Sequence, residues 1–235
     1  MTLIFSDKKV NLFLNPKVAT STIKIMCLAN MAVHLFDDLS SLDIHDETRH
    51  LPNHGSQFGT SQFFGHLNAP GVRNFLFVRN PYTRLTSAYL DKIAAPKRGC
   101  HLYEGKQGAI FHFAQKHHLV VENELGHLPF ETFVRWVIKT PNHKLNIHWA
   151  LQSDLSMFGK VRYSDIAKLE DNFQSGLENL MQALDFKFNK HIPQKANAGS
   201  IKPSKSLYTA ETAALVYKKF KPDFKIFNYD VDSWR

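Results

Sequence analysis

Cysteine is nearly missing: Cys27 and Cys100 are the only two in 235 residues. That excludes a disulfide scaffold and fits a reducing compartment. Long apolar runs are missing too. Nothing approaches the roughly 18 consecutive apolar residues of a membrane span, and the best early stretch, Ile23 to Phe36, is broken by Lys24, Asn30 and His34. The first residues lack the basic-then-apolar layout of an export signal, so the expectation is a cytoplasmic protein. There is no HExxH and no paired CxxC, so no metal site is expected. The phosphate-loop signature GxxxxGK[ST] is missing, which disfavours an ordinary ATPase or kinase. No repeat, low-complexity tract or linker interrupts the chain, and the length fits a single domain over residues 1–235.

What is present builds a core. Hydrophobic residues make up 43% and charged residues 21%, with 19 Phe, so the chain is not compositionally disordered. Positive charge is unevenly placed. From Lys187 to Lys225 there are nine Lys against Glu211 and Asp223, which accounts for seven of the chain's eight net positive charges. Such a segment reads either as a surface for a polyanion or as ordinary solvated helix faces. Tyr208, Tyr217, Phe220 and Phe224, in the same stretch, have the spacing of packing residues.

Val10 to Leu14 reads as a buried strand stopped by Asn15-Pro16, and the hydroxyls of Thr20, Ser21 and Thr22 cap a helix over Ile23 to Leu35. Asp37 to Asn68 is polar and is expected to wrap the surface. Phe75 to Val78 is a second buried strand, followed by a helix over Tyr82 to Ile93. Phe130, Phe133, Val134, Val137 and Ile138 mark an amphipathic helix, as do Phe173, Leu177, Leu180, Met181 and Leu184. Val161 to Tyr163 is a candidate short strand. Thr209 to Phe220 reads as the last helix, stopped by Pro222. Strands alternating with helices predict an α/β fold whose mainly parallel sheet binds ligands where strands run into helices.

Two such corners carry chemistry. In the first, Lys17 stands in a loop that leads into Thr20, Ser21 and Thr22. Unpaired N–H groups at a helix start bind anions, and a Lys adds charge. The corner reads equally as a plain capped helix. In the second, Arg79 ends a buried strand and Ser87 follows eight residues later on the next helix. A guanidinium fork and a hydroxyl suit one phosphate; a buried salt bridge is the alternative for Arg79. Arg84 reads as structural.

The pair Pro16-Lys17-x-x-x-Ser21-Thr22 and Phe77-Val78-Arg79-Asn80-Pro81-x-x-Arg84-Leu85-x-Ser87-Ala88-Tyr89 resembles the nucleotide-binding motifs of sulfotransferases, closest to carbohydrate sulfotransferases of the chondroitin 4-O and HNK-1 type and their bacterial relatives. His148-Trp149-x-x-Gln152, Tyr163 to Glu170, and Asp223-Phe224-x-x-Phe227-x-Tyr229 extend the resemblance in order along the chain. There are departures. Ala19 stands where the family usually has Gly, and the two Cys that animal members carry shortly after the His-Trp segment are missing here, where Leu155 is followed by Ser156. Their Golgi membrane anchor has no counterpart in the sequence.

The resemblance implies a P-loop-NTPase-like sulfotransferase fold, a central parallel sheet flanked by helices. It implies transfer of a sulfuryl group from 3′-phosphoadenosine-5′-phosphosulfate (PAPS) to a hydroxyl of a carbohydrate or glycoconjugate, acidic polysaccharide included, by in-line displacement and without a metal. Lys17 would stabilise the leaving group, and the Ala19, Thr20, Ser21 and Thr22 segment would hold the 5′-phosphate. Arg79 and Ser87 would hold the 3′-phosphate, with Lys202 and Lys205 in a loop over the nucleotide. A histidine is the expected general base. His66, thirteen residues before Arg79, is favoured, and His148 is the rival; His117, His118, His45, His50 and His54 read as surface. The alternative function is non-catalytic binding of nucleic acid or another polyanion, for which the chain has no recognisable nucleic-acid motif.

Overall fold

The computed structural model describes residues 2–31, 60–94, 110, 113, 116–119, 128–188 and 207–235. Along the chain run β1 (Thr2–Phe5), β2 (Val10–Leu14), α1 (Thr20–Met31), α2 (Thr60–Leu67), β3 (Arg73–Val78), α3 (Pro81–Tyr89), α4 (Phe130–Lys139), α5 (Gln152–Leu155), β4 (Asp165–Lys168), α6 (Phe173–Leu184) and α7 (Ala210–Ile226). They fall into two compact, interleaved units: Met1–Arg79 with Asp154–Asn197, and Asn80–Ser153 with Ala198–Arg235.

The first unit is a four-stranded sheet in the order β1-β2-β3-β4. β2, β3 and β4 are mutually parallel, and β1 adds an antiparallel edge that the sequence reading did not anticipate. The mainly parallel α/β sheet is as expected. Its apolar side chains pack with those of α1 and α6: Leu12, Leu14, Phe75 and Phe77 meet Ile23, Met26, Leu177, Leu180 and Leu184. Such strands, buried on both sides, carry near-continuous apolar runs. Gly176 lets α6 lie directly on β4, because a Cβ there would stand 2.2 Å from the Ala167 Cβ.

The second unit is helical around an aromatic core. Tyr82 meets Tyr208 and Phe224 with ring centroids 5.1 and 4.9 Å apart, and Phe133 meets Trp149 at 5.3 Å, all edge-on. Asn80 caps α3 by accepting from the Tyr82 N–H, with Pro81 in the first helical position, where its missing N–H costs nothing. Thr209 and Thr212 form a reciprocal cap at the start of α7. Tyr208, Phe220 and Phe224 are buried, as their spacing predicted.

Four local expectations change. α1 begins at Thr20 rather than Ile23, so the three hydroxyl residues form its first turn. The stretch 60–67, expected as polar surface, is helix α2; residues 32–59 lie outside the described ones. The short strand is Asp165–Lys168, not Val161 to Tyr163, where Val161 makes only an isolated bridge to Phe158. The displaced segment is spent elsewhere: Asn74 takes the Arg162 carbonyl, and the Tyr163 hydroxyl donates to the Ser156 carbonyl. Finally, the helix does break at Phe220 as expected (non-helical, φ −98°, ψ 16°), but beyond that kink a second helical stretch containing Pro222 carries α7 on to Ile226.

Candidate functional site

The Lys17 corner has an unusual backbone. Lys17 (φ 72°) and Ala19 (φ 59°) are both left-handed, while the fully buried Val18 between them is not. Alternating hands along consecutive residues turn successive N–H groups toward one concavity, a nest suited to an anion, and the N-terminus of α1, whose dipole also favours an anion, follows directly. A left-handed residue with a Cβ costs about 1 kcal/mol, so Ala19 occupies a conformation for which the resemblance expects Gly. The loop is tied shut by the Thr20 hydroxyl, which donates to the Asn15 carbonyl at 2.8 Å. Asn15 is 2% exposed, and its buried Nδ2 has no hydrogen-bond partner among the described residues, leaving a spare donor within the corner. Donors, a nearby ammonium and no carboxylate in residues 15–22 fit a phosphate group.

Arg79 closes the corner from β3. Its Nη1 donates to the Lys17 carbonyl at 3.1 Å, and its Nε lies 3.9 Å from Glu170 Oε1. Of the two sequence readings of Arg79, the carboxylate pairing is seen, and the same guanidinium also braces the Lys17 loop. Glu170 closes the Tyr163 to Glu170 motif, and the main chain there runs beside β3 through Leu169 N–H to the Val78 carbonyl at 2.9 Å. Sequence reasoning quoted Glu170 only as part of a pattern and gave it no role.

His66 is not brought to this corner. It ends α2, and its Nε2 lies 3.3 Å from Oδ1 of the buried Asn11. Asn11 stands three residues before the end of β2, about 10 Å along the strand from the end where the Lys17 loop begins. The partners behind it belong to the start of β3: Asn11 Nδ2 donates to Asn74 Oδ1 at 2.9 Å, and Asn74 Nδ2 donates to the Leu67 and Arg162 carbonyls, each at 2.7 Å. Two carbonyls can only accept, so they fix which way the Asn74 amide faces. That in turn fixes Asn11, and Asn11 Oδ1 makes Nε2 of His66 the donor. The sequence reading preferred His66 over His148 as base; the structure gives His66 a partner in buried Asn11. His66 belongs to a buried amide network at the opposite end of the parallel strands from the anion corner.

His148, in the second unit, sits on a braced turn. Oδ1 of Asn146 accepts from the His148 backbone N–H at 3.0 Å and lies 2.6 Å from the ring Nδ1. The N–H groups of Trp149 and Ala150 both donate to the Asn146 carbonyl, at 2.9 and 2.7 Å. The buried Arg84 grips the turn on either side of the histidine, donating to the Ile147 carbonyl at 3.0 Å and the Ala150 carbonyl at 2.7 Å. Asp223, 0% exposed, holds the next residues by accepting from Gln152 N–H at 2.7 Å, Ser153 N–H at 2.9 Å and the Ser153 hydroxyl at 2.7 Å. Burial pushes the Asp223 carboxyl above its ordinary range, against those hydrogen bonds and the charge of Arg84. Three motifs far apart in sequence thus converge on one turn, and Arg84 is structural, as expected.

Ser87 lies half-buried in α3 of the second unit, whereas Arg79 closes the first. Lys202 and Lys205 lie outside the described residues, as do His45, His50 and His54; His117 and His118 are exposed. In the basic segment Lys218, Lys221 and Lys225 are exposed, while Lys219 donates to the Thr140 carbonyl at 2.6 Å at the end of α4. Cys27 is fully buried, and desolvation pushes its thiol up to about 12, so it stays protonated and inert. Among the described residues no cluster of His, Cys, Asp and Glu could hold a metal, and no helix is long and apolar enough to cross a membrane.

The sulfotransferase family matches residues 1–230 of the chain. Carbohydrate sulfotransferase 10 of Xenopus laevis is 26% identical over 248 aligned positions, covering 97% of this chain and 67% of that protein. Its Gallus gallus counterpart is 26% identical over 249, covering 96% and 65%. The chain therefore spans about two thirds of the length of these relatives. No solved structure matches significantly.

Proposed function

The chain belongs to the sulfotransferase family, and from that premise we propose that it transfers a sulfuryl group from PAPS to a hydroxyl of a carbohydrate or glycoconjugate. The observation that carries the reading is the nest of Lys17 and Ala19 at the start of α1, with Arg79 donating to the Lys17 carbonyl. The relatives named carbohydrate sulfotransferase 10 support the acceptor class.

In this reading the backbone of residues 17–19 and the first turn of α1, Thr20, Ser21 and Thr22, bind the 5′-phosphate. Transfer requires positioning and neutralisation of the charge that builds on the oxygen left behind, much as in phosphoryl transfer. Lys17 supplies that charge. Arg79 binds the 3′-phosphate, which separates PAPS from ATP; the motif assigns Ser87 to the same phosphate. His148 takes the acceptor proton as the new sulfur–oxygen bond forms and the bond from sulfur to the 5′-phosphate oxygen breaks. The products are a sulfate ester and 3′,5′-ADP.

A thermal-shift comparison tests the nucleotide. Stabilisation by 3′,5′-ADP, and little by ATP·Mg²⁺, is the expected result, since a ligand of the folded state raises apparent stability. Stabilisation by ATP·Mg²⁺ alone would sink the reading. Binding of polyanions without any turnover of radiolabelled PAPS, across a panel of sugars and polysaccharides, would favour the non-catalytic alternative.

A further inference from the structure

We propose that Asn146 is a positioning residue that locks the imidazole of His148 with its proton on Nδ1, making Nε2 the nitrogen that receives the acceptor proton. This rests on the reading of His148 as the base.

Donors and acceptors alone assign the proton. An amide side chain can be placed either way round, but here a backbone N–H decides. His148 N–H can only donate, and it lies 3.0 Å from Asn146 Oδ1, so the atom at that position is the oxygen. The same oxygen lies 2.6 Å from Nδ1. An oxygen that accepts cannot donate back, so Nδ1 carries the proton. The tautomer that results is the one an imidazole in water populates less. It leaves the lone pair on Nε2, the nitrogen farther from the backbone.

The turn is built to keep this arrangement. Arg84 binds the carbonyls of Ile147 and Ala150, and Asp223 fixes residues 152–153, so neither side of the histidine can drift. A base oriented by a third group is the general pattern of activated side chains. When the acceptor oxygen bonds to sulfur, its proton passes to Nε2 and the ring becomes imidazolium. Its Nδ1–H keeps the same bond to Asn146, so no reorganisation accompanies the charge. His66 makes the contrast: its buried asparagine network puts the proton on Nε2.

The test combines spectroscopy and kinetics on the full chain. In ¹⁵N-labelled protein at a pH where the ring is neutral, the His148 signals should be those of an Nδ1–H imidazole. An Nε2–H pattern would overturn the proposal. Asn146→Leu should release the tautomer and lower kcat by about ten- to a hundredfold, the scale seen when the hydrogen-bond partner of a metal-ligating histidine is removed, with KM for PAPS unchanged. Asn146→Asp keeps the acceptor and should retain most of kcat even if the leucine variant folds poorly. In a His148→Ala background, Asn146→Leu should cost nothing further; an additive loss would mean Asn146 acts on something else. If His148→Ala alone keeps full activity, the assignment of the base fails. That result leaves the tautomer measurement to judge the lock separately.

Discussion

Two histidines in this molecule each lean on an asparagine, and they do so through opposite nitrogens. His66 points Nε2 into a chain of buried amides that ends on the Leu67 and Arg162 carbonyls. His148 points Nδ1 at Asn146 in a turn gripped from both sides by buried charged groups. In the first case the polar groups serve the sheet, and the ring finishes the network. In the second the polar groups serve the ring. The same two residue types thus meet through opposite ring nitrogens in the two units, and only the direction of the donors tells the two settings apart.

The sharpest way to break the comparison is to delete each ring. His148→Ala should lower kcat by a factor of about 10² to 10⁴, the usual worth of a general base, whereas His66→Ala should leave kcat within a few-fold; steady-state kinetics with radiolabelled PAPS decides. Equal losses would erase the distinction. Asp223→Ala comes next. It strands two backbone N–H groups, a hydroxyl and the charge of Arg84, and should cost about 3 kcal/mol in denaturant unfolding, with activity lost in proportion to the loosened turn. Asn74→Ala should cost about 2 kcal/mol, by leaving the Leu67 and Arg162 carbonyls unpaired, and should leave kcat almost untouched. Ala19→Gly is the smallest change. Relief of the left-handed strain should raise stability by about 1 kcal/mol, provided the added freedom of the glycine in the unfolded chain does not offset it; a net loss would show that freedom to be the larger effect.

Much of the fold was legible. Val10 to Leu14 was located to the residue, and the stripes of α4 and α6 fell where their 3.6-residue period put them, because apolar spacing alone decides those elements. What was not legible depended on partners. β1 is four residues long and needs β2 beside it to be a strand at all. Pro222 announced the break at Phe220, but not the second helical stretch that carries α7 on to Ile226. At the site, Lys17 and Arg79 could be read from strand ends and motif spacing, and the structure joins them through one hydrogen bond. Asn15, Glu170 and Asp223 were invisible as individuals, since a buried amide or carboxylate has meaning only through the groups it faces. The settings of the two histidines were hidden for the same reason. Distance along the chain from Arg79 said nothing about which end of the sheet His66 would occupy. One signal was there to be used: Asn11 and Asn74 are polar residues inside otherwise apolar strands, and such residues cannot be buried alone.

That amide pair has a consequence for how the chain finds its shape. Asn11 and Asn74 are direct partners in the parallel ladder of β2 and β3, though 63 residues apart. Parallel strands have no tight turn to align them, and an apolar sequence such as Leu-Phe-Leu against Phe-Leu-Phe is nearly indifferent to sliding. A slip of one residue would set Asn11 beside Arg73 or Phe75 and leave two amides unpaired in the core, at about 1 to 3 kcal/mol each. A single misaligned docking is therefore disfavoured by tenfold or more before any helix packs, so the pair acts as a key cut into two otherwise interchangeable surfaces.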